Sequence, residues 1–466
     1  MRRLGYEVVD RIVERWQNLP ESRTAQLATR VEMEARLREP LPWEGEDIES
    51  IMGRFWRDVE PFAGKIDHPR FFAFIPSSPT FASVLGDWLA SGCNFFQGTW
   101  IESAGPSEVE LVVLEWLKEG LGLADEASGV LTSGGSVANL IGLAVARHEK
   151  VRGEIARGTA YTSDQTHTAV SRALRILGFP EANLRRLPSD AGWRLDMEAL
   201  EAAVRADRES GLAPFCVIAT TGTTNTGAVD PLHDLADFCQ RENLWLHVDG
   251  AYGAIARLSP TCEPLLSGLE RADSLVLDPH KWLYVGYEAG CVFIRDRAAL
   301  ETAFRVLPDY LQDTDVHEGE VNFGDRGVQL SRAARGIKLW LSLKTHGFGA
   351  MVRAIERTIR LAAYAEERID ASPTLEVVAR ASLGIVCFRH RASGASQAAP
   401  DNERLNAHNE GIVRTIQREG RFMISSTLLD GTYVIRLCPL NYRTEPSDID
   451  ALLREVEAVG GRTGEA

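Results

Sequence analysis

Four short apolar runs decide what this chain can become: FCVIA at 215–219, LWLHV at 244–248, SLVL at 274–277 and GCVFI at 290–294. Each is nearly continuous rather than alternating, and too short for a helix, as a strand buried on both faces should be. Between residues 105 and 300 these runs alternate with amphipathic helical stretches and Gly/Ser/Thr/Asp-rich turns. The alternation predicts βαβ units and an α/β fold with a mostly parallel central sheet. Ligands of such sheets sit at the carboxyl ends of the strands. Chemistry is therefore expected in the residues just after each run.

The flanking regions read differently. Leu4, Val8, Ile12 and Trp16 recur every four residues and put an apolar stripe on a first helix. A proline-marked segment, EPLPWEGED, and an aromatic run, RFFAFIP at 70–76, follow. A stripe without its own core needs a cover, so residues 1–82 are expected to be an arm packed on another domain or a second subunit. Residues 83–355 are expected to form a large domain and 356–466 a small α+β domain, with strand candidates at 385–388 and 433–437. The stretch 308–325 holds six acidic residues and no Lys or Arg. Its length without periodicity reads as a lid.

Composition bounds the partners. With 51 basic against 66 acidic residues the net charge is −15, which argues against nucleic acid, whose phosphates call for clustered Lys and Arg. The seven cysteines are scattered and no CxxC occurs, so a disulfide framework or zinc knuckle is not expected and a reducing compartment is. The N-terminus lacks an apolar signal region and no apolar run could span a bilayer. A cytoplasmic protein without a membrane partner is the expectation.

Four features fall at strand ends or loop–helix junctions. VLTSGGSVAN at 130–139 runs from strand through a Gly/Ser turn into a helix, where backbone N–H groups and the helix dipole can cradle an anion. A turn kept small only for packing fits the same residues. In LHVDGAY, Asp249 ends an apolar strand, where a charge is costly without a positive partner; a turn-capping role is the alternative. In DPHKW, Lys281 follows another apolar strand, and lysine is rarely buried unless paired or reactive; a lysine snorkelling to solvent is the alternative. SDQTH brings His167 to a helix start. His247, His280 and His317 are ambiguous, and the His-x-Asp at 247–249 is too thin for a metal site, so no metal is expected. Taken together, an anion cradle, a carboxylate, a lysine and a ring-sized histidine match the needs of pyridoxal 5'-phosphate (PLP): an anchor, a partner for the pyridine nitrogen, and an amine for the aldehyde.

On these blocks the sequence resembles the group II PLP-dependent amino acid decarboxylases, which act on aromatic amino acids, tyrosine, tryptophan or histidine. The resemblance runs from MRRLGYEVVDRI through RFFAFIPSS, TSGGSVANL, SDQTHTAV, ATTGTTNTGAVDPL, LWLHVDGAYG and DPHKWLY to VIRLCPLNYRT. It implies the type I, aspartate aminotransferase-like fold in homodimers whose active sites lie at the interface, with the N-terminal segment as a dimerisation arm. By the same resemblance Lys281 bonds the cofactor aldehyde, Asp249 pairs with the pyridinium nitrogen, and His167 and Ala251 cover the two ring faces. Gly135 and Ser136 hold the phosphate, helped by Asp278, where many relatives carry Asn. Thr224 lies near the 3-hydroxyl, His280 precedes the lysine as in the family, and Arg436 matches an arginine at the site's mouth.

The implied reaction is loss of the α-carboxylate of an L-amino acid, giving the amine and carbon dioxide. One departure bears on the outcome. Counting back from Arg335 and Lys338, Phe323 falls where family lids carry a tyrosine that donates a proton to Cα; phenylalanine has none to give. Plant relatives lacking the tyrosine release an aldehyde, ammonia and peroxide, so an aromatic aldehyde synthase is the alternative. Tyr310 aligns with a different, upstream tyrosine. Phe71, Phe72, Phe74, Pro76 and Trp100 suit an aromatic substrate, or equally an interface core. Gly98 replaces a bulky aromatic of animal relatives, which suggests a roomier pocket. An aminotransferase and a non-catalytic PLP-binding scaffold remain as other readings, the latter disfavoured by the joint presence of Lys281, Asp249 and His167.

Overall fold

The structure is a computed structural model that describes residues 1–76, 78–151, 153–306, 317, 319–391 and 402–463. The chain divides into two compact units, one of residues 77–357 and one of residues 1–76 with 358–466.

The 77–357 unit is built on seven strands: β1 (Ser128–Thr132), β2 (Gly158–Ser163), β3 (Leu184–Leu187), β4 (Ala213–Thr220), β5 (Trp245–Asp249), β6 (Ser274–Leu277) and β7 (Gly290–Ile294). Their order across the sheet is β1-β7-β6-β5-β4-β2-β3. The four pairings from β6 to β3 are parallel, as the apolar runs predicted. β5, β6 and β7 are buried along their whole length, which is why they carry no polar alternation. β7 runs antiparallel to both neighbours. The link from β6 to β7 contains only the four-residue helix Pro279–Trp282, not the long helix of a parallel crossover.

Because β7 reverses, β1 on its far side points the same way as β4, β5 and β6. The carboxyl ends of these four strands therefore share one edge of the sheet. Helix Gly135–Lys150 starts at the end of β1 and packs across β5, β6 and β7. Gly290 makes the approach possible, since a Cβ there would come within 2.4 Å of Gly134 Cα. Beneath the turn, the Glu110 carboxylate accepts from Leu131 N at 2.9 Å and from both terminal nitrogens of Arg332 at 2.8 and 3.0 Å. Arg332 also donates to Leu131 O at 2.6 Å, so one buried ion pair grips β1 by its backbone.

In the other unit, β8 (Leu375–Ser382), β9 (Ile385–His390), β10 (Ser425–Leu429) and β11 (Thr432–Leu437) form an antiparallel sheet in the order β10-β11-β9-β8. Phe388, Ile412, Phe422, Ile435 and Leu452 share its core. The N-terminal segment, expected as an arm, folds into this same unit. Thr24 N donates to Gly420 O at 2.9 Å, Asn441 Nδ2 to Asp67 O at 2.9 Å, and Thr444 Oγ1 to Pro69 O at 2.6 Å. Helix Arg2–Gln17 nonetheless buries none of its residues. No described helix is long and apolar enough to cross a membrane. Most of the acidic stretch expected as a lid, Tyr310 included, lies outside the described residues.

Candidate active site

At the shared strand edge a cavity of about 330 Å³ opens among residues 133–281. Its floor is the turn Ser133-Gly134-Gly135 and the first turn of helix Gly135–Lys150, where Val137 N and Ala138 N donate to Gly134 O at 3.0 and 3.1 Å and the N–H groups of Gly135 and Ser136 precede the helix's own bonds. A Cβ on Gly135 would lie 2.9 Å from Asp278 Oδ2 and 3.2 Å from Ala251 Cβ, so only glycine keeps this wall open. Ser136 follows on the same lining.

β5 delivers Asp249, which is 5% exposed. Its Oδ1 accepts from Ala251 N at 3.2 Å and its Oδ2 from Asn139 Nδ2 at 3.2 Å. β6 delivers Asp278 and then Lys281 on the short helix behind it. Lys281 Nζ lies 3.1 Å from Asp278 Oδ2, so the lysine is a paired cation rather than a snorkelling one. His280 accepts from Ala289 N at 3.3 Å through Nδ1, and burial lowers its pKa. β2 leads to His167, whose Nδ1 accepts from Ala169 N at 3.2 Å and so caps the next helix. With Nδ1 accepting, Nε2 carries the hydrogen of the neutral ring. Burial lowers the His167 pKa, an effect that Asp249 opposes and Lys281 assists.

The nine residues expected around a cofactor, Thr224 and Ala251 among them, all line this cavity. Two polar atoms on the lining, Thr220 Oγ1 and Asp278 Oδ1, are buried without a hydrogen-bond partner. Buried polar atoms rarely stay unpaired in a finished structure. An anion-binding turn, a lysine, a buried carboxylate and unpaired polar atoms together fit a phosphorylated aldehyde with a basic ring. The sequence reading missed Asn139, Thr220 and Tyr252. Asn139 stands one helical turn past Gly135, a spacing that could have marked it as facing the same site.

The other expected residues are not among the side chains that line this cavity. Phe323 is 1% exposed, its ring packed 4.8 Å from the Arg332 guanidinium and 5.7 Å from that of Arg326, and it is not among the lining side chains. Trp100 opens a helix, with its N–H on Asn322 Oδ1 at 2.8 Å. Gly98 makes backbone contact: its carbonyl accepts from Gly324 N at 2.9 Å, and a Cβ would stand 2.4 Å from Leu330 O. In the second unit, Phe72 belongs to the core, Phe74 is exposed with a φ of 56°, and Pro76 is buried. Arg436 is buried on β11 and donates to Ser425 Oγ at 2.9 Å.

His247, behind Asp249, is fully enclosed, and burial pushes its pKa down to about 4. The unfolded chain takes up this proton near pH 6.5 while the folded chain refuses it until about pH 4. Stability contributed by the neutral ring is thus lost as pH falls through that window. Denaturant unfolding at about pH 7 and about pH 4.5 measures it, and His247→Gln should narrow the gap by on the order of 2–3 kcal/mol.

The family model described as the pyridoxal-dependent decarboxylase conserved domain matches residues 31–391. The chain is 41% identical over 460 residues to an aromatic-L-amino-acid decarboxylase of Bacillus atrophaeus, covering 98% of this chain and 95% of the relative. Among solved structures it is similar to Oryza sativa TDC with PLP and tryptamine, at a TM-score of 0.93 and 29% identity over 99% of this chain and 97% of that one. It is also similar to Rhodiola rosea 4-hydroxyphenylacetaldehyde synthase, at a TM-score of 0.91 and 27% identity over 99% and 98%.

Proposed function

The chain belongs to the pyridoxal-dependent decarboxylase family, and from that premise we propose that it converts an aromatic L-amino acid to its amine and carbon dioxide. Its mixed seven-stranded sheet and small C-terminal sheet domain are those of the type I fold, its cofactor is PLP, and it is a carboxy-lyase acting on amino acids. The observation that carries the proposal is the single cavity holding Lys281, Asp249 and His167 over an anion-binding turn. The aromatic substrate rests on likeness to the Bacillus atrophaeus enzyme.

Bound PLP supplies an aldehyde for amines and a protonated ring that draws electrons from the bond to the carboxylate. Lys281 Nζ would bond that aldehyde, and doing so would take it out of its 3.1 Å ion pair with Asp278. The Asp249 carboxylate keeps the ring nitrogen protonated by its opposite charge. His167 and Ala251 cover the ring faces, and the N–H groups of the turn at 133–136 hold the phosphate. His167 Nε2 or the Lys281 amine would supply the proton that Cα takes up. Homodimerisation would cover the exposed Trp88, Leu89 and Ile101, and the free cysteines suit the cytoplasm.

Likeness to the Rhodiola rosea 4-hydroxyphenylacetaldehyde synthase, with Phe323 at the counted lid position, supports a second outcome, aldehyde formation, in which amino acid, oxygen and water give aldehyde, carbon dioxide, ammonia and peroxide. Aerobic incubation with Tyr, Trp, Phe and Dopa, analysed for all products, separates the two. We expect amine at parity with carbon dioxide and no peroxide. Peroxide at parity with carbon dioxide would replace the first reading with the second. Any aldehyde fraction should fall in Phe323→Tyr, and an unchanged ratio would sink the argument from this position.

A further inference from the structure

The cavity's least expected member is Asn139, and it is the near end of a buried chain of polar groups. Asn139 Nδ2 donates to Asp249 Oδ2 at 3.2 Å and to Gly135 O at 2.8 Å. Its Oδ1 lies 2.8 Å from His247 Nε2. His247 Nδ1 lies 2.7 Å from Ser274 Oγ, and Trp245 Nε1 donates to that same oxygen at 2.7 Å. Asn139, His247 and Ser274 are each at most 1% exposed.

One assignment of protons satisfies every contact. Both neighbours of Asn139 Nδ2 are oxygens that can only accept, so this atom is the amide nitrogen and Oδ1 must accept. His247 Nε2 therefore carries the ring hydrogen, and Nδ1 accepts from the Ser274 hydroxyl. The Ser274 oxygen accepts in turn from the Trp245 indole. The chain has a single direction, and it fixes which way the Asn139 amide faces. The packing is made for it: a Cβ at Gly142, one turn along the same helix, would come within 2.7 Å of His247 Cε1. Glycine lets the helix settle close enough for Asn139 to span from β5 to its own first turn.

We propose that Asn139, oriented by His247, is a positioning residue that sets the distance between Asp249 and the anion-binding turn. The inference rests on the reading that Asp249 meets the ring nitrogen of PLP. A cofactor anchored at its phosphate and at its ring nitrogen has two ends to satisfy at once. One amide nitrogen bonded both to the turn, at Gly135 O, and to the carboxylate is the direct link between those anchors. Losing it leaves Asp249 Oδ1 on Ala251 N and lets Oδ2 swing.

The test uses the full chain stripped of cofactor and titrated with PLP, followed by the pH dependence of the bound cofactor's visible absorbance. Asn139→Ala and His247→Leu should each weaken PLP binding roughly tenfold or more, as loss of a hydrogen bond to a charged group does. Both should displace the absorbance–pH profile in the same sense as Asp249→Asn. His247→Gln retains an N–H toward Asn139 Oδ1 and should recover most of the affinity and profile that His247→Leu loses. Asn139→Ala with parental affinity and profile would overturn the proposal. So would His247→Leu and His247→Gln variants that behave alike, which would make the histidine mere packing. If Asp249→Asn leaves the profile unmoved, the reading of Asp249 fails and the inference falls with it. If Asp249→Asn moves the profile and Asn139→Ala does not, the inference alone fails.

Discussion

Lys281→Ala should lower kcat/KM by roughly 10⁴-fold or more, the scale seen when a covalent catalytic group is removed. Among the described residues that line the cavity, Lys281 is the only lysine. The physical check does not depend on turnover. Borohydride treatment of the parent loaded with PLP should leave the phosphopyridoxyl mass on the peptide containing Lys281, and the variant should carry none. A parent that gains the mass on another lysine would remove Lys281 from its role. The variant also leaves Asp278 without its cation at 3.1 Å. Lys281→Arg keeps a positive charge beside that carboxylate but offers no usable amine, and should match Lys281→Ala in activity while unfolding closer to the parent.

Glu110→Ala should cost stability on the order of 3–5 kcal/mol, because it strands a guanidinium that is 2% exposed. Surface ion pairs are worth far less, and burial makes the difference here. The carboxylate also holds Leu131 N on β1, two residues before the Ser133 turn. Weaker PLP binding should therefore accompany the lost stability. Glu110→Gln retains an oxygen for Leu131 N and should bind PLP more tightly than the alanine variant. Denaturant unfolding of the cofactor-free chain and PLP titration of the same samples give the two readings. A shift below about 1 kcal/mol for Glu110→Ala would show that solvent reaches Arg332 after all.

Much of the site could be read because its chemistry falls where strands end. Asp249 closes β5, Asp278 follows β6 by one residue, and the Ser133 turn follows β1. A strand buried on both faces announces itself by unbroken apolar residues, so the first polar residue after it is conspicuous in sequence. Phe323 and Gly98 show the limit of the same approach. Counting back from Arg335 assigns Phe323 a position in a family pattern, but its ring packs against Arg326 and Arg332. Gly98, expected to leave a roomier pocket, also makes backbone contact with Gly324 and Leu330, which no local pattern shows.

By itself the sequence determined the α/β class from local runs, and through its resemblance to a known family it pointed to PLP and to the nine residues that gather at one cavity. Tertiary structure alone decided the reversal of β7, the inclusion of residues 1–76 in the C-terminal unit, and the chain from Trp245 to Asp249 through Asn139. Those features depend on how closely elements distant in sequence approach one another. That approach is set at points such as Gly142, where the absence of one carbon leaves room for the His247 ring, and Gly290, where it lets two backbones meet. A local pattern of polar and apolar residues carries no measure of such a distance.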